Sequence, residues 1–456
     1  WPFAGNEGQL EASVEFEGLG LDYYPGWPRA SGANGSVTFR GAAMFIEAAL
    51  SDLSGNPVQR LSGQIRNLRD PLLELAYASE TTLPDLVRFI RASPLLKNSG
   101  IDPDQFSFVG ATEVSGNLLI PLRANSGELD LEGALRLSGN GFGELRSGFE
   151  LSGIQGTLSF NRDRLIGQGL SALYRGNESQ LEVEAYWDDQ PGFRSELEGV
   201  MPVRDLLPEA IRDSEPLLDA VNGSAGVVAV IDIARGPRTS EKAIWLEVNS
   251  TLEGVSIDLP PPLDKAEAIA WPLRVRYPIR STETVATVEL DDRLAMAFDL
   301  SQGFEQLSRA HFQIGGGPYD LPAPGWFRLA GSAAQLDVDA WVRRLADRFD
   351  ETKGMGSLKM APIVLHADTV RLLAREFADV EMQITYEDTV LGGSFDSDSL
   401  AGGMRYSRSE DGSHSLTAQL DRLILPPPQS EGEISDTDPS RLPEMHSYID
   451  HFSYLG

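Results

Sequence analysis

Apolar and polar residues alternate with a period of two along much of the chain. Leu181, Val183, Ala185 and Trp187 are separated by Glu182, Glu184 and Tyr186. Val380, Met382, Ile384 and Tyr386 are separated in the same way by Glu381, Gln383 and Thr385. Val37 and Phe39 flank Thr38, and Val285 and Val288 sit in a β-branched run with Thr287. Successive side chains of a strand point to opposite faces, so each segment has one apolar and one wet face. That pattern predicts antiparallel sheet with one solvated side. The predicted class is mainly β: a long curved antiparallel sheet forming an extended apolar groove, with a few short helices.

A loose unit recurs in which a glycine precedes apolar positions at spacing two. It is seen at Gly35 with Val37 and Phe39, and at Gly116 with Leu118 and Ile120. It returns at Gly133 with Leu135 and Leu137, and at Gly156 with Leu158 and Phe160. The glycine is expected to supply a tight turn or bulge before each strand. The copies are irregularly spaced, which fits a sheet extended by similar hairpins better than a strict repeat. Leu83, Leu86, Val87 and Ile90 have helical spacing ending before Pro94. Val203 to Val221 is a second helical stretch, interrupted by Pro208 and Pro216. A third is a short helix with Trp341, Val342 and Leu345, for which Asp339 is the expected cap. Such helices either cover a sheet edge or serve as a gate or docking element.

The elongated β-region is expected to span 1–425, with sub-units near 1–200, 201–330 and 331–425. Pro426, Pro427 and Pro428 open an acidic Pro/Ser-rich linker or loop over 426–443. Residues 444–456 regain aromatic content and read as the truncated start of a next unit.

Composition narrows the function classes. The 456 residues carry a formal net charge of -30. Such a field repels nucleic acid and anionic surfaces at long range and keeps a β-rich chain soluble. The absence of cysteine removes disulfides, thiolate metal sites and thiol nucleophiles. No apolar run reaches the roughly 18–20 residues of a membrane span, and no signal-peptide pattern opens the chain. Trp1 does not read as a natural start. The chain is therefore expected to be a mature or excised segment, with any membrane anchor outside it.

The search for catalytic chemistry yields little. His311, His366, His414, His446 and His451 form no HExxH pattern, and His446 and His451 with Asp450 make only a weak metal pattern. No Walker loop, nucleophile elbow or dinucleotide fingerprint is present. Gly315, Gly316 and Gly317 are followed by Pro318, Pro322 and Pro324, which predicts a turn rather than a phosphate cradle. Asp188 with Asp189, Asp291 with Asp292, and Asp337 with Asp339 are possible glycosidase acids, but such a pair must flank a cleft at defined separation. The cluster Tyr23, Tyr24, Pro25, Gly26, Trp27, Pro28 either stacks on a sugar or headgroup or packs a turn onto the sheet. No enzyme activity, metal or cofactor is expected. The remaining signal is the apolar face, either the core of a sandwich or the lining of a groove.

Several stretches resemble the AsmA-like family of Gram-negative envelope proteins, in its YhdP-type branch. They are "GLGLDYYPGWP" from Gly18 to Pro28, with "GSVTFRG" from Gly35 to Gly41, and "SPLLKNSG" from Ser93 to Gly100, with "VSGNLLIPL" from Val114 to Leu122. "STLEGVSIDLPPPLDKA" from Ser250 to Ala266, followed by "WPLRVRYP", is the most specific. "LAGSAAQLDVDAWV" from Leu329 to Val342, "ADTVRLL" with "FADVEMQI", and "LDRLILP" complete a collinear series ending at Pro426.

The resemblance implies an inner-membrane-anchored periplasmic protein whose sheet curls into an apolar groove, as in bridge-like lipid-transfer proteins. It implies carriage of phospholipid from the inner to the outer membrane, and transfers no catalytic residue. Partners expected on that basis are phospholipids, the membrane through an outside anchor, and envelope proteins; no nucleic acid is expected. Strand residues expected to contact acyl chains are Phe39, Leu135, Leu158, Val183, Val288 and Met382. The alternatives are a non-enzymatic envelope-assembly scaffold with closed β-sandwich cores, and a carbohydrate-active enzyme using an acid pair with the Tyr23–Trp27 aromatics.

Overall fold

The computed structural model describes residues 11–454 except 24–25, 94–103, 105, 124–128, 146–148, 207–218, 237–242, 302–306, 346–357, 373, 388–389, 409–413 and 428–443. The chain is mainly β with few short helices, as its alternation predicts. It divides into two compact units, residues 1–200 with 228–244, and 201–227 with 245–456.

The first unit holds β1 (Glu11–Leu21), β2 (Ala30–Arg40), β3 (Ala43–Leu53), β4 (Asn56–Ile65), β5 (Leu72–Thr82), α1 (Leu83–Ala92), β6 (Phe106–Val109), β7 (Ala111–Pro121), β8 (Asp130–Glu144), β9 (Phe149–Asn161), β10 (Arg164–Tyr174), β11 (Asn177–Tyr186) and β12 (Gly192–Pro202). They form an antiparallel meander. Each strand from β1 to β5 pairs with the next, β5 pairs with β7, and the order continues from β7 through β12. β6 and β7 both pair with β8, and Gly110 between them has φ 107°, which a side chain would strain.

Helix α1 forms where its spacing predicts. The Thr82 hydroxyl accepts from the Asp85 amide at 3.2 Å and donates to the Asp85 carboxylate at 2.7 Å. Ser93 closes the other end by donating to the Ile90 carbonyl at 2.7 Å. Leu83 and Leu86 pack on the sheet's apolar face. Of the expected helix from Val203 to Val221, Val203–Leu206 is a single 3-10 turn, Ala220 lies in another short turn and Val221 already begins a strand. Residues 207–218 lie outside the described set.

The second unit contains β13 (Val221–Ile233), whose residues from 228 count with the first unit, β14 (Ile244–Ser250), β15 (Val255–Ile257), β16 (Leu273–Arg280), β17 (Val285–Leu290), β18 (Leu294–Asp299), β19 (Arg309–Ile314), β20 (Trp326–Asp337), α2 (Val338–Leu345), β21 (Lys359–Met360), β22 (Ile363–Leu372), β23 (Arg375–Glu387), β24 (Val390–Asp396), β25 (Leu400–Arg408), β26 (His414–Leu425), β27 (Glu444–Ile449) and β28 (Phe452–Tyr454). β20 runs through the place where a boundary near 330 is expected. Most of the linker expected at 426–443 lies outside the described residues.

Two local expectations are corrected here. The sheet is mixed, because β19 pairs with β20, β20 with β22, and β26 with β27 in parallel. Parallel neighbours need a crossover, and α2 lies in the one between β20 and β22. The cap of α2 is Asp337, whose Oδ1 accepts from the Ala340 amide at 2.8 Å. Asp339 instead accepts from the Ala374 amide at 2.8 Å.

Candidate binding face

Register places the apolar residues of the first unit in rows that run across the strands on one face. One row is Ser79, Val114, Leu135, Leu158, Gly167, Val183 and Ser195, each opposite the next. Three of the residues expected to contact acyl chains, Leu135, Leu158 and Val183, thus share one row, with Gly167 between the last two. Phe39 lies on the same face in the row Ala12, Phe39, Met44, Ile65, Leu73, Ile120. In the second unit Val288 lies in the row Val275, Val288, Met296, Phe312, Leu329. Met382 lies between Leu365 and Phe395.

Burial splits these six. Leu135 is 6% exposed within a cluster that includes Val114, Leu137, Leu151, Ile154 and Leu170. Met382 is 3% exposed in a cluster with Ala367, Val370, Phe377 and Val380. Side chains enclosed to that degree offer almost no surface to a ligand, so Leu135 and Met382 are core. Phe39, Leu158, Val183 and Val288 keep part of their surface open. The same holds for Val37, Met44, Ile46, Leu61, Leu73 and Leu75, on β2 to β5. The face of the first unit is therefore packed toward β8–β11 and partly open toward β1–β5.

Glycines occupy apolar-phase positions on this face, and large side chains from the neighbouring strand lie across them. A Cβ at Gly63 would stand 2.5 Å from Leu75 Cδ2, and one at Gly116 would stand 2.7 Å from the Tyr77 hydroxyl. At Gly133 it would stand 2.5 Å from Phe160 Cζ, and at Gly156 2.5 Å from Leu170 Cδ2. Gly167 is overlain by Leu158 and Leu170. Gly116 and Gly133 pair directly, flanked in register by Tyr77 and Phe160. Burial pushes the Tyr77 hydroxyl up to about 12, so it stays neutral.

The expected turn or bulge at the motif glycines fits Gly35 and Gly156, which lie at irregularities of the ladder, and is corrected at Gly116 and Gly133. Gly35 and Gly156 lie inside strands beside register breaks, while Gly116 and Gly133 sit in unbroken ladder. Glycine inside a strand marks close approach of another group, which is its use here. Sequence reasoning missed the covering partners Leu75, Tyr77 and Leu170. The available signal was a glycine with apolar residues two before and two after it, as in Leu61-Gly63-Ile65, Val114-Gly116-Leu118 and Leu131-Gly133-Leu135.

The opposite face of the first unit mixes polar residues with exposed apolar ones such as Phe45, Leu72 and Leu119. Ser115, Asn117, Glu132, Ser159, Asn161 and Arg164 line much of an open hollow of about 640 Å³, and those on β7 to β9 alternate with the glycine row.

Part of the remaining candidate chemistry has a structural role. Asp188 pairs with Arg235, whose guanidinium lies over the Tyr186 ring at 4.2 Å. Asp291 is in a turn with φ 48°, 3.9 Å from Arg293. Among the described residues no group of three His, Cys, Asp or Glu side chains is placed to hold a metal ion. Gly315 and Gly317, at φ 81° and 130°, form the expected turn after β19. Tyr23 and Trp27 have ring centroids 6.4 Å apart, and Trp27 lies 5.8 Å from Phe89 of α1. That contact fits the packing reading of the cluster. No described helix is long and apolar enough to cross a membrane.

The longest motif folds into a corner. Leu252 has φ 50° and Gly254 φ 91°, and between them the chain turns into β15. Lys265 is 4% exposed and donates through Nζ to the carbonyls of Leu252 (2.8 Å), Val255 (2.6 Å) and Ala266 (3.3 Å). Burial lowers the Lys265 ammonium below its ordinary value, opposed by the charges of Glu253 and Glu267. Leu252, Val255 and Trp271 form a core there, and Trp341 Nε1 donates to the Pro261 carbonyl at 2.9 Å.

The model of the YhdP protein family matches residues 1–456. The chain belongs to that family. No curated protein matches the chain, and no solved structure does. The collinear motifs of this YhdP-family chain thus lie within one matched span, and the most specific of them is structural.

Proposed function

We propose that this chain is a segment of a periplasmic bridge-like lipid-transfer protein that carries phospholipid acyl chains along an apolar groove between inner and outer membranes. The observation that carries the reading is the apolar face of β2 to β5, partly open although made of Val37, Phe39, Met44, Ile46, Leu61, Leu73 and Leu75. Acyl chains suit such a wall, because each buried CH₂ contributes roughly 0.8 kcal/mol without directional chemistry. YhdP-family membership supports the reading. Phe39, Leu158, Val183 and Val288 are the wall residues of choice, and headgroups stay at the solvated opening. Movement along the groove is diffusive, with direction set by other envelope components and anchorage outside this segment.

The packed clusters around Leu135 and Met382 favour a second reading, a non-enzymatic envelope scaffold with closed cores. Mild purification of the chain followed by native mass spectrometry and lipid extraction separates the two. Bound phospholipid that disappears in Phe39→Asp and Leu158→Asp is the expected result. A folded, lipid-free wild-type chain would sink the conduit reading and leave the scaffold.

A further inference from the structure

We infer that Gly63 and Gly167 set the depth of the apolar trough in the first unit, an inference that rests on the lipid-carrying reading above. Glycine inside a strand costs roughly 0.5–1 kcal/mol relative to alanine, so several on one face call for a compensating use. Here the use is uniform. Leu75 lies across Gly63, Tyr77 across Gly116, Phe160 across Gly133, Leu170 across Gly156, and Leu158 across Gly167. Side chains that lie flat leave a smooth, deep wall. Sheets that pack face to face instead interdigitate the side chains of their inner faces. Over Gly63, where Leu75 stays partly open, the flattened arrangement keeps space above the sheet free, which an acyl chain needs and a closed core does not.

The five positions differ in what a methyl group would disturb. At Gly116 and Gly133 it would also meet backbone, the Ser115 carbonyl lying 2.6 Å from the Gly133 position. At Gly63 the nearest atom after Leu75 Cδ2 is the Glu74 carbonyl at 3.4 Å, so only one terminal methyl has to move. At Gly167 the conflict is with Leu158 Cδ2 and with Leu170 Cδ1 at 2.9 Å, both side-chain ends. An alanine at Gly63 lifts Leu75 out of the wall and leaves the ladder in place, and at Gly167 the side chain that lifts is Leu158, since Leu170 is 1% exposed and enclosed in the core.

The test titrates the full chain with phosphatidylethanolamine bearing a pyrene-labelled acyl chain. Wild type, Gly63→Ala, Gly167→Ala and Gly141→Ala are compared, the last because its added methyl would meet nothing closer than 3.5 Å. Gly63→Ala and Gly167→Ala are each expected to bind about fourfold more weakly, the equivalent of one methylene left uncovered, ~0.8 kcal/mol. Gly141→Ala is expected to bind as wild type; thermal transitions are expected to hold or rise for Gly63→Ala and Gly141→Ala and to fall modestly for Gly167→Ala, whose methyl also presses on buried Leu170. In a Leu75→Ala background, adding Gly63→Ala is expected to weaken binding no further, because the side chain it would lift is gone. Wild-type affinity in both glycine variants, a Gly63→Ala loss that persists undiminished in the Leu75→Ala background, or loss of fold in the variants would overturn the depth inference while the lipid reading stood. A wild-type chain that takes up no probe would overturn the lipid reading itself.

Discussion

Lys265→Met tests whether the long corner motif is a structural clamp. The ammonium is 4% exposed, and its three donors go to carbonyls of Leu252, Val255 and Ala266. A hydrogen bond to a charged group contributes roughly 1.5–3 kcal/mol net, and the 3.3 Å contact adds the least. Methionine fills similar volume and removes the cost of burying a charge, which offsets part of the loss. It also leaves the carbonyls unsatisfied and frees Leu252, held at φ 50°, from one of its restraints. The expected net loss is about 3 kcal/mol. For a body of this size that lowers the transition by roughly 6–12 °C. Trp271, 3% exposed in the same core as Leu252 and Val255, reports it through ¹⁹F NMR of 5-fluorotryptophan-labelled protein. A Trp271 resonance that melts within a degree or two of wild type would refute the clamp. Lys265→Arg is expected to be nearly as damaging, because a planar guanidinium cannot converge on the same three carbonyls.

Leu135→Ala removes a fully packed side chain and is expected to cost about 2–5 kcal/mol in urea unfolding, whereas Leu158→Ala, partly open, should cost clearly less; equal losses would deny the division between core and wall. Asp337→Ala strips the cap from α2 and is expected to lose about 1–2 kcal/mol, read as faster amide exchange at Ala340; unchanged exchange there would show that Asp337 does not hold the helix start. His311 is 2% exposed, its Nδ1 accepts from the Asp320 amide at 2.7 Å, and burial followed by the Arg328 charge lowers it below its ordinary 6.5, against the pull of Asp320. The unfolded chain therefore takes up this proton first, so the contribution is complete above pH 6.5 and is lost as pH falls below it. Melting temperatures measured from pH 7.5 to 5 should fall more steeply for wild type than for His311→Gln, and parallel curves would exclude the linkage.

The strands and the face they share were legible because period-two alternation is a local property. Leu181 with Val183 and Val380 with Met382 are enough to assign both. Helix α1 was legible for the same reason, since its apolar spacing and its stop before Pro94 are written within a dozen residues. The parallel pairs were not, because β20 finds β22 through a crossover that alternation cannot see. Nor was the difference between Leu135 and Leu158, which are directly paired and equally apolar. Their burial depends on how the whole sheet packs around them. The Asp337 cap was missed by two residues because Asp337 and Asp339 are chemically equivalent and only backbone geometry at the helix start separates them.

The corner at Leu252 to Lys265 and the open wall at β2 to β5 place opposite demands on sequence. A wall for apolar chains requires apolarity and reach, so Val37, Ile46 or Leu73 can each be exchanged among aliphatic types with little change in what the surface does. A corner requires particular chemistry. Gly254 stands at φ 91°, Lys265 needs three donors on a flexible stem, and Trp341 needs an indole N–H for the Pro261 carbonyl. Short motifs are therefore expected at corners rather than along the apolar wall. The glycines under Leu75 and Leu158 are the exception. They belong to the wall, yet they tolerate no side chain without lifting a neighbour. If the trough carries lipid, these positions are where its function is written most specifically in the sequence, and substitutions there should reduce lipid occupancy without unfolding the chain.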